Sequence, residues 1–142
     1  YAGILKNIYA LASGLANGLG YGDNFRAVLA AASAKELTRF INESYPFERD
    51  TMDAAYLGDL LVTSYSSFSR NRRLGKLIGH GCTVKSALNE MTMIAEGYFA
   101  ANCIKHINEK HNIYMPIAEM VYDVLYRRMS PRKRMKELTA LL

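Results

Sequence analysis

Tryptophan is absent from the 142 residues, cysteine occurs twice and proline three times. Cys82 and Cys103 form no Cys-x-x-Cys pair. That argues against a disulfide framework and for a reduced, cytoplasmic setting. No stretch reaches the roughly 18 unbroken apolar residues of a membrane helix, so no membrane insertion is expected. A complete Gly-x-Gly-x-x-Gly is also missing. The run Gly20-Tyr21-Gly22-Asp23-Asn24-Phe25 lacks the third glycine and follows an apolar helical segment where a strand would be required. The three histidines make no metal site, because His106 and His111 are five apart and do not share a helix face. No Ser-His-Asp or Cys-His arrangement, internal repeat, low-complexity tract or convincing strand is discernible. The tract Leu60-Leu61-Val62-Thr63 is β-prone but isolated, and reads as helical or irregular core.

What is present is helical periodicity and positive charge. Half the residues are apolar and the net charge is +5, which favours anionic partners without choosing among them. The length suits one domain with a real core. Residues 1–19 are Ala-rich, with Leu5, Ile8, Leu11, Ala12 and Leu15 at helical spacing, and read as a buried helix. Gly18, Gly20 and Gly22 then turn the chain, and Asp23 or Asn24 suits a cap. Residues 24–44 read as an amphipathic helix with the stripe Phe25, Val28, Leu29, Ala32, Leu37, Phe40 and Ile41. A polar connector around Pro46 follows, with Asp50 or Thr51 as a cap and Glu48 and Asp53 in solvent. Thr83 caps a short helix, residues 98–112 form another, and Pro116 opens one with Ile117, Met120, Val121, Val124 and Leu125 inward. Ser130-Pro131 begins a last helix along Met135, Leu138, Leu141 and Leu142. Arg127, Arg128, Arg132, Lys133 and Arg134 read as a solvated basic face rather than a nucleic-acid surface. The fold expected is all-α, a single domain of six to nine helices over residues 1–142. The start at Tyr1, inside an apolar segment and without Met, suggests a fragment of something longer.

Residues 56–73 carry the densest chemistry: Gly58-Asp59-Leu60-Leu61 sets a carboxylate in an apolar frame, and Ser69-Arg70-Asn71-Arg72-Arg73 opens a helical segment with Leu74, Leu77 and Ile78. A serine at a helix start caps it, free N–H groups there attract anions, and Arg70 adds a fork of donors suited to phosphate. The same residues also read as a capped helix with an arginine-rich solvated face. Lys6 and Asn7 are the strongly polar pair in the first apolar helix; Lys6 either snorkels to the surface or stays in a cleft for proton chemistry.

Several of these pieces together resemble the C-terminal domain of bacterial NAD(P)-dependent glycerol-3-phosphate dehydrogenases, a helical fold similar to that of 6-phosphogluconate-type enzymes. They are Lys6-Asn7, Gly18-Leu19-Gly20-Tyr21-Gly22-Asp23-Asn24, Gly58-Asp59-Leu60, Ser69-Arg70-Asn71-Arg72-Arg73, Glu96-Gly97, and Met115-Pro116-Ile117 followed by Val121-Tyr122-Asp123-Val124-Leu125-Tyr126. The resemblance covers nearly the whole chain in order. It implies hydride transfer between a nicotinamide and the central carbon of dihydroxyacetone phosphate or sn-glycerol 3-phosphate, feeding glycerophospholipid synthesis. It implies Lys6 as the acid/base, with Lys6, Asn7, Asp59, Ser69, Arg70 and Asn71 at the substrate. Arg70, Ile94 and Glu96 fall near NAD or NADP, which is bound mainly by a dinucleotide-binding domain that this chain lacks. Departures from the family pattern are Tyr56 for a glycine, Asn17 for an aspartate and Ala32-Ser33 for Arg-Gly. They bear on packing, not on Lys6, Asp59 or Ser69-Arg70-Asn71. These residues alone are expected not to turn over. A helical nucleic-acid or protein interaction module and a hydroxy-acid dehydrogenase domain are the alternatives. A homodimer is compatible with the apolar content and the ten tyrosines.

Overall fold

The computed structural model describes residues 2–44 and 70–142. Among them it contains seven α-helices and no strand: α1 (Ala2–Gly18), α2 (Asp23–Ser44), α3 (Arg70–Gly79), α4 (Val84–Glu90), α5 (Glu96–His111), α6 (Pro116–Leu125) and α7 (Pro131–Thr139). This is the all-α architecture expected. Asp59, Ser69, the Pro46 connector with Glu48, Asp50, Thr51 and Asp53, and the tract 60–63 lie outside the described residues.

α1 is the axis of the domain. Every residue from 8 to 16 is buried, as a helix that is apolar all round requires. It packs on α2, α3, α5 and α6, and most closely on α3. Glycines set that closeness. A Cβ built at Gly75 would stand 2.8 Å from the Leu15 amide nitrogen and nearer still to the Leu11 carbonyl oxygen. One at Gly14 would meet the Arg72 backbone, with its carbonyl carbon at 2.8 Å. Gly14 and Gly18 on α1 face Gly75 and Gly79 on α3 at the same four-residue spacing. Removing the Cβ on both sides lets the two backbones touch. Gly18 was expected only to end its helix; it is also part of this contact.

Capping follows local chemistry. Thr83 accepts from the Ser86 amide at 3.1 Å, and Ser130 accepts from that of Lys133 at 3.3 Å. Pro116 and Pro131 sit in first turns, where a missing N–H leaves nothing unsatisfied. Asp23 is not a cap as proposed from the sequence; it lies within the first turn of α2 and pairs with Arg26.

Three expectations about burial fail. Val28 is 48% exposed and Leu141 60%. The α2 stripe is rotated toward Leu29, Ser33, Glu36, Leu37 and Phe40 by what α1 and α6 offer it. Leu141 and Leu142 lie past the end of α7, so the helical spacing that buries Met135 and Leu138 does not extend to them. Arg134 is not part of a solvated face. Its guanidinium reaches the buried carboxylate of Asp123 at 3.0 and 3.1 Å and ties α7 to α6.

Glu36 is the buried joint of α1, α2 and α6. Its carboxylate accepts from the Tyr9 hydroxyl at 2.9 Å and from the amides of Ile117 and Ala118 at 2.8 and 3.1 Å. These amides belong to the first turn of α6, which has no partners within its own helix. Burial pushes the Glu36 carboxyl up from 4.5 to about 7, against the pull of those donors and of Arg39. The native chain therefore holds a proton that the unfolded chain has released. This contribution is complete below pH about 4.5 and is lost as pH rises through about 7. Urea midpoints should fall across that window, and Glu36→Gln should flatten the fall. An equal slope in the variant would assign the effect to another group.

Candidate functional site

Two helix N-termini meet beside the first half of α1. α3 begins at Arg70-Asn71 and α5 at Glu96-Gly97, and both abut Lys6-Asn7. The joint is a chain of amides. The Gly97 backbone N–H donates to Oδ1 of Asn71 at 2.6 Å, and Nδ2 of Asn71 donates to Oδ1 of Asn7 at 3.0 Å. Residue 97 has to be glycine for this to close. A Cβ there would lie 2.8 Å from Asn71 Oδ1 and 2.9 Å from the Asn7 carbonyl oxygen.

Lys6 and Asn7 are half-buried, and Asn71 is buried at 8% exposure. Arg70 is exposed, with its guanidinium 3.3 Å from the Met93 sulfur, over the loop between α4 and α5. The exposed residues Ile94 and Glu96 sit on the same rim. Met93, Ile94 and Phe99 leave an apolar face open there, beside a groove of about 270 Å³ that Leu88 and Tyr98 also line. The structure thus brings together Lys6, Asn7, Arg70, Asn71, Ile94 and Glu96 from three helices and a loop. Asp59 and Ser69 are outside the described residues.

Positive charge predominates, with the Glu96 carboxylate opposing it in the first turn of α5. The N-termini of α3 and α5 each carry partial positive charge and free N–H groups, and Lys6 and Arg70 add full charges. Such a constellation takes an anion, with an ammonium group alongside. Among the described residues no cluster of three or more histidine, cysteine, aspartate or glutamate side chains is placed to hold a metal, and no helix is long and apolar enough to cross a membrane.

Sequence reasoning placed Asn71 against the substrate and did not see its bridge to Gly97. It also missed the structural weight of Gly97, Gly14 and Gly75. The four-residue glycine spacing in both α1 and α3 was the available signal.

Fold and site define a helical domain in which the N-termini of two helices are joined to a Lys-Asn pair on the central helix. Residues 1–136 match the family described as NAD-dependent glycerol-3-phosphate dehydrogenase C-terminus. The chain belongs to that family. It is 40% identical over 136 residues to glycerol-3-phosphate dehydrogenase [NAD(P)+] of Clostridium botulinum and equally to that of Staphylococcus carnosus, covering 96% of this chain and 41% of each relative. Among solved structures it is similar to glycerol-3-phosphate dehydrogenase from Coxiella burnetii, with a TM-score of 0.91 and 32% identity over 97% of this chain and 42% of that one. The chain therefore spans about two-fifths of the length of the curated relatives it matches.

Proposed function

We propose that this chain is the substrate-binding and proton-transferring part of an oxidoreductase that interconverts dihydroxyacetone phosphate and sn-glycerol 3-phosphate with NAD or NADP. The nucleotide is bound mainly by a further dinucleotide-binding domain. The observation that carries the reading is the junction of Lys6-Asn7 with the N-termini of α3 and α5 through the side chain of Asn71.

In this reading the phosphate lies at the start of α3, held by Arg70, by Ser69 and by the N–H groups there. Lys6 faces the oxygen on the central carbon. When that carbon is reduced, the Lys6 ammonium gives its proton to the oxygen. When the alcohol is oxidised, neutral Lys6 takes the hydroxyl proton. Asn7, beside the substrate, orients Lys6, and Asp59 holds Lys6 or a substrate hydroxyl. Bound nicotinamide supplies or accepts the hydride. The apolar rim of Met93, Ile94 and Phe99, with Arg70 and Glu96 beside it, fits a flat ring there. We place the protein in the cytoplasm, without membrane insertion or nucleic acid as partner. The exposed apolar residues Val28, Tyr114, Leu141 and Leu142 are compatible with a homodimer.

The test follows NADH oxidation with dihydroxyacetone phosphate, using the full-length gene product that carries this chain. Arg70→Ala should raise KM by about 100-fold, the cost of one charged hydrogen-bonded partner, and leave kcat within a few-fold. Activity confined to a different phosphorylated ketone would replace the substrate. No activity with any ketone, and salt-steep binding to nucleic acid instead, would replace the function.

A further inference from the structure

The Arg70 guanidinium rests on a side chain whose chemistry can change. Its Nη1 lies 3.3 Å from the sulfur of Met93, on the loop between α4 and α5. Met93 is 60% exposed, the most open methionine among the described residues. Met129 follows at 39%, Met91 is half-buried, and Met115, Met120 and Met135 are buried. An oxidant in solution therefore meets the Met93 thioether first, and that thioether already touches Arg70.

We propose that Met93 is an oxidation switch on substrate binding: its sulfoxide captures the Arg70 guanidinium and turns it away from the phosphate. This rests on the function proposed above and deepens it. The oxidant is a peroxide. The sulfur lone pair attacks the terminal oxygen, the O–O bond breaks and an S–O bond forms. The departing hydroxide takes the proton of the transferred oxygen and leaves as water, so sulfur is oxidised and the peroxide reduced. A thioether is a weak acceptor and holds an N–H loosely. The sulfoxide oxygen carries the negative end of the S–O dipole, one bond from the sulfur and within reach of Nη1. A hydrogen bond from a charged donor to that oxygen is of the stronger kind. The guanidinium has several N–H groups, and the sulfoxide does not use them all. It fixes where the planar fork points, and the fork must face the start of α3 to take a phosphate through a pair of parallel bonds. A thiol-dependent reductase returns the thioether, so the change is reversible.

The test uses the full-length gene product that carries this chain, treated with hydrogen peroxide until peptide mass spectrometry finds one oxygen on Met93. KM for dihydroxyacetone phosphate should rise by about 10-fold, less than on removing Arg70, with kcat and the KM for NADH within about 2-fold. Methionine sulfoxide reductases with dithiothreitol should restore it. Dithiothreitol alone should not, which separates the effect from the free thiols of Cys82 and Cys103. Each variant is compared with its own untreated form. Met93→Leu should show no change on treatment. Arg70→Ala should still gain the oxygen at Met93, and its KM should move by less than about 2-fold, since the route is gone.

Oxidation of Met129 ahead of Met93 would overturn the proposal, as would recovery with dithiothreitol alone. A rise in KM of the same size in treated Met93→Leu or Arg70→Ala would overturn it too. So would a rise confined to the KM for NADH, because the sulfoxide would then act on the apolar rim and not through Arg70. An activity-free measurement keeps the proposal distinct from the function it rests on. Nuclear magnetic resonance should find slower solvent exchange of the Arg70 guanidinium protons in the oxidised protein. Unchanged exchange overturns the capture even if the enzyme turns over. Slowed exchange in a protein inactive on dihydroxyacetone phosphate upholds the capture and removes the function it was meant to control.

Discussion

Lys6→Ala should lower turnover of dihydroxyacetone phosphate by about 1,000-fold, within the range that a positioned acid or base contributes. KM should move little, because the function proposed here has the phosphate held at the start of α3 and not by Lys6. Lys6 is half-buried on α1, next to Asn7, whose side chain bonds that of Asn71 at the start of α3. Two accompanying results belong to the same expectation. A small primary amine added to the Lys6→Ala enzyme should restore part of the rate, since it supplies the missing proton carrier. Lys6→Arg should stay slow, because a guanidinium keeps its charge at all working pH values and does not cycle a proton. A loss of less than ten-fold in kcat with a large rise in KM would make Lys6 a phosphate ligand and leave the proton transfer to another group.

Gly75→Ala should unfold or strongly loosen the domain although it adds only one methyl group. The new Cβ would collide with backbone of α1 at Leu11 and Leu15, which no rotamer change can relieve. Overpacking typically costs 1–3 kcal/mol, and a clash with backbone belongs at about 3 kcal/mol or above. Gly22→Ala is the matched control, because a Cβ there has nothing within 4 Å. Urea unfolding of the full-length gene product and its two variants reads the difference, provided the helical-domain transition is followed by α3 and α1 amide exchange. Equal protection in Gly75→Ala and the parent would mean that α1 and α3 lie farther apart than described. The damage should also reach the site, since α3 carries Arg70 and Asn71 at its far end.

Legibility varied with how local the cause was. The start and the buried face of the helix at residues 116–125 were read directly, because Pro116 marks its first turn and Ile117, Met120, Val121, Val124 and Leu125 repeat at the period of one buried face. The Thr83 and Ser130 caps were equally plain, since each hydroxyl bonds an amide three residues on. Val28 was misread because one amphipathic period allows two neighbouring stripes, and the partner helix decides between them. Arg134 was misread because its carboxylate, Asp123, belongs to another helix. Glu36 sits on the buried face of α2 and would pass for a surface residue until the first turn of α6 arrives to donate to it.

The site divides in the same way. Lys6-Asn7 and Arg70-Asn71 were visible as polar residues at the right spacing on apolar helices, and family resemblance supplied their roles. Their meeting was not visible, because 64 residues separate Asn7 from Asn71 and 26 separate Asn71 from Gly97. By itself the sequence determined the helices, their caps and the positive balance of charge, all of which follow from side-chain period and from hydrogen bonds within one turn. Tertiary structure alone decided which N-termini face each other, how near α1 and α3 approach, and which partners the Asn7 and Asn71 amides find. Those outcomes depend on packing between distant segments, where a missing Cβ or a donor-only N–H acts only once its partner is in place.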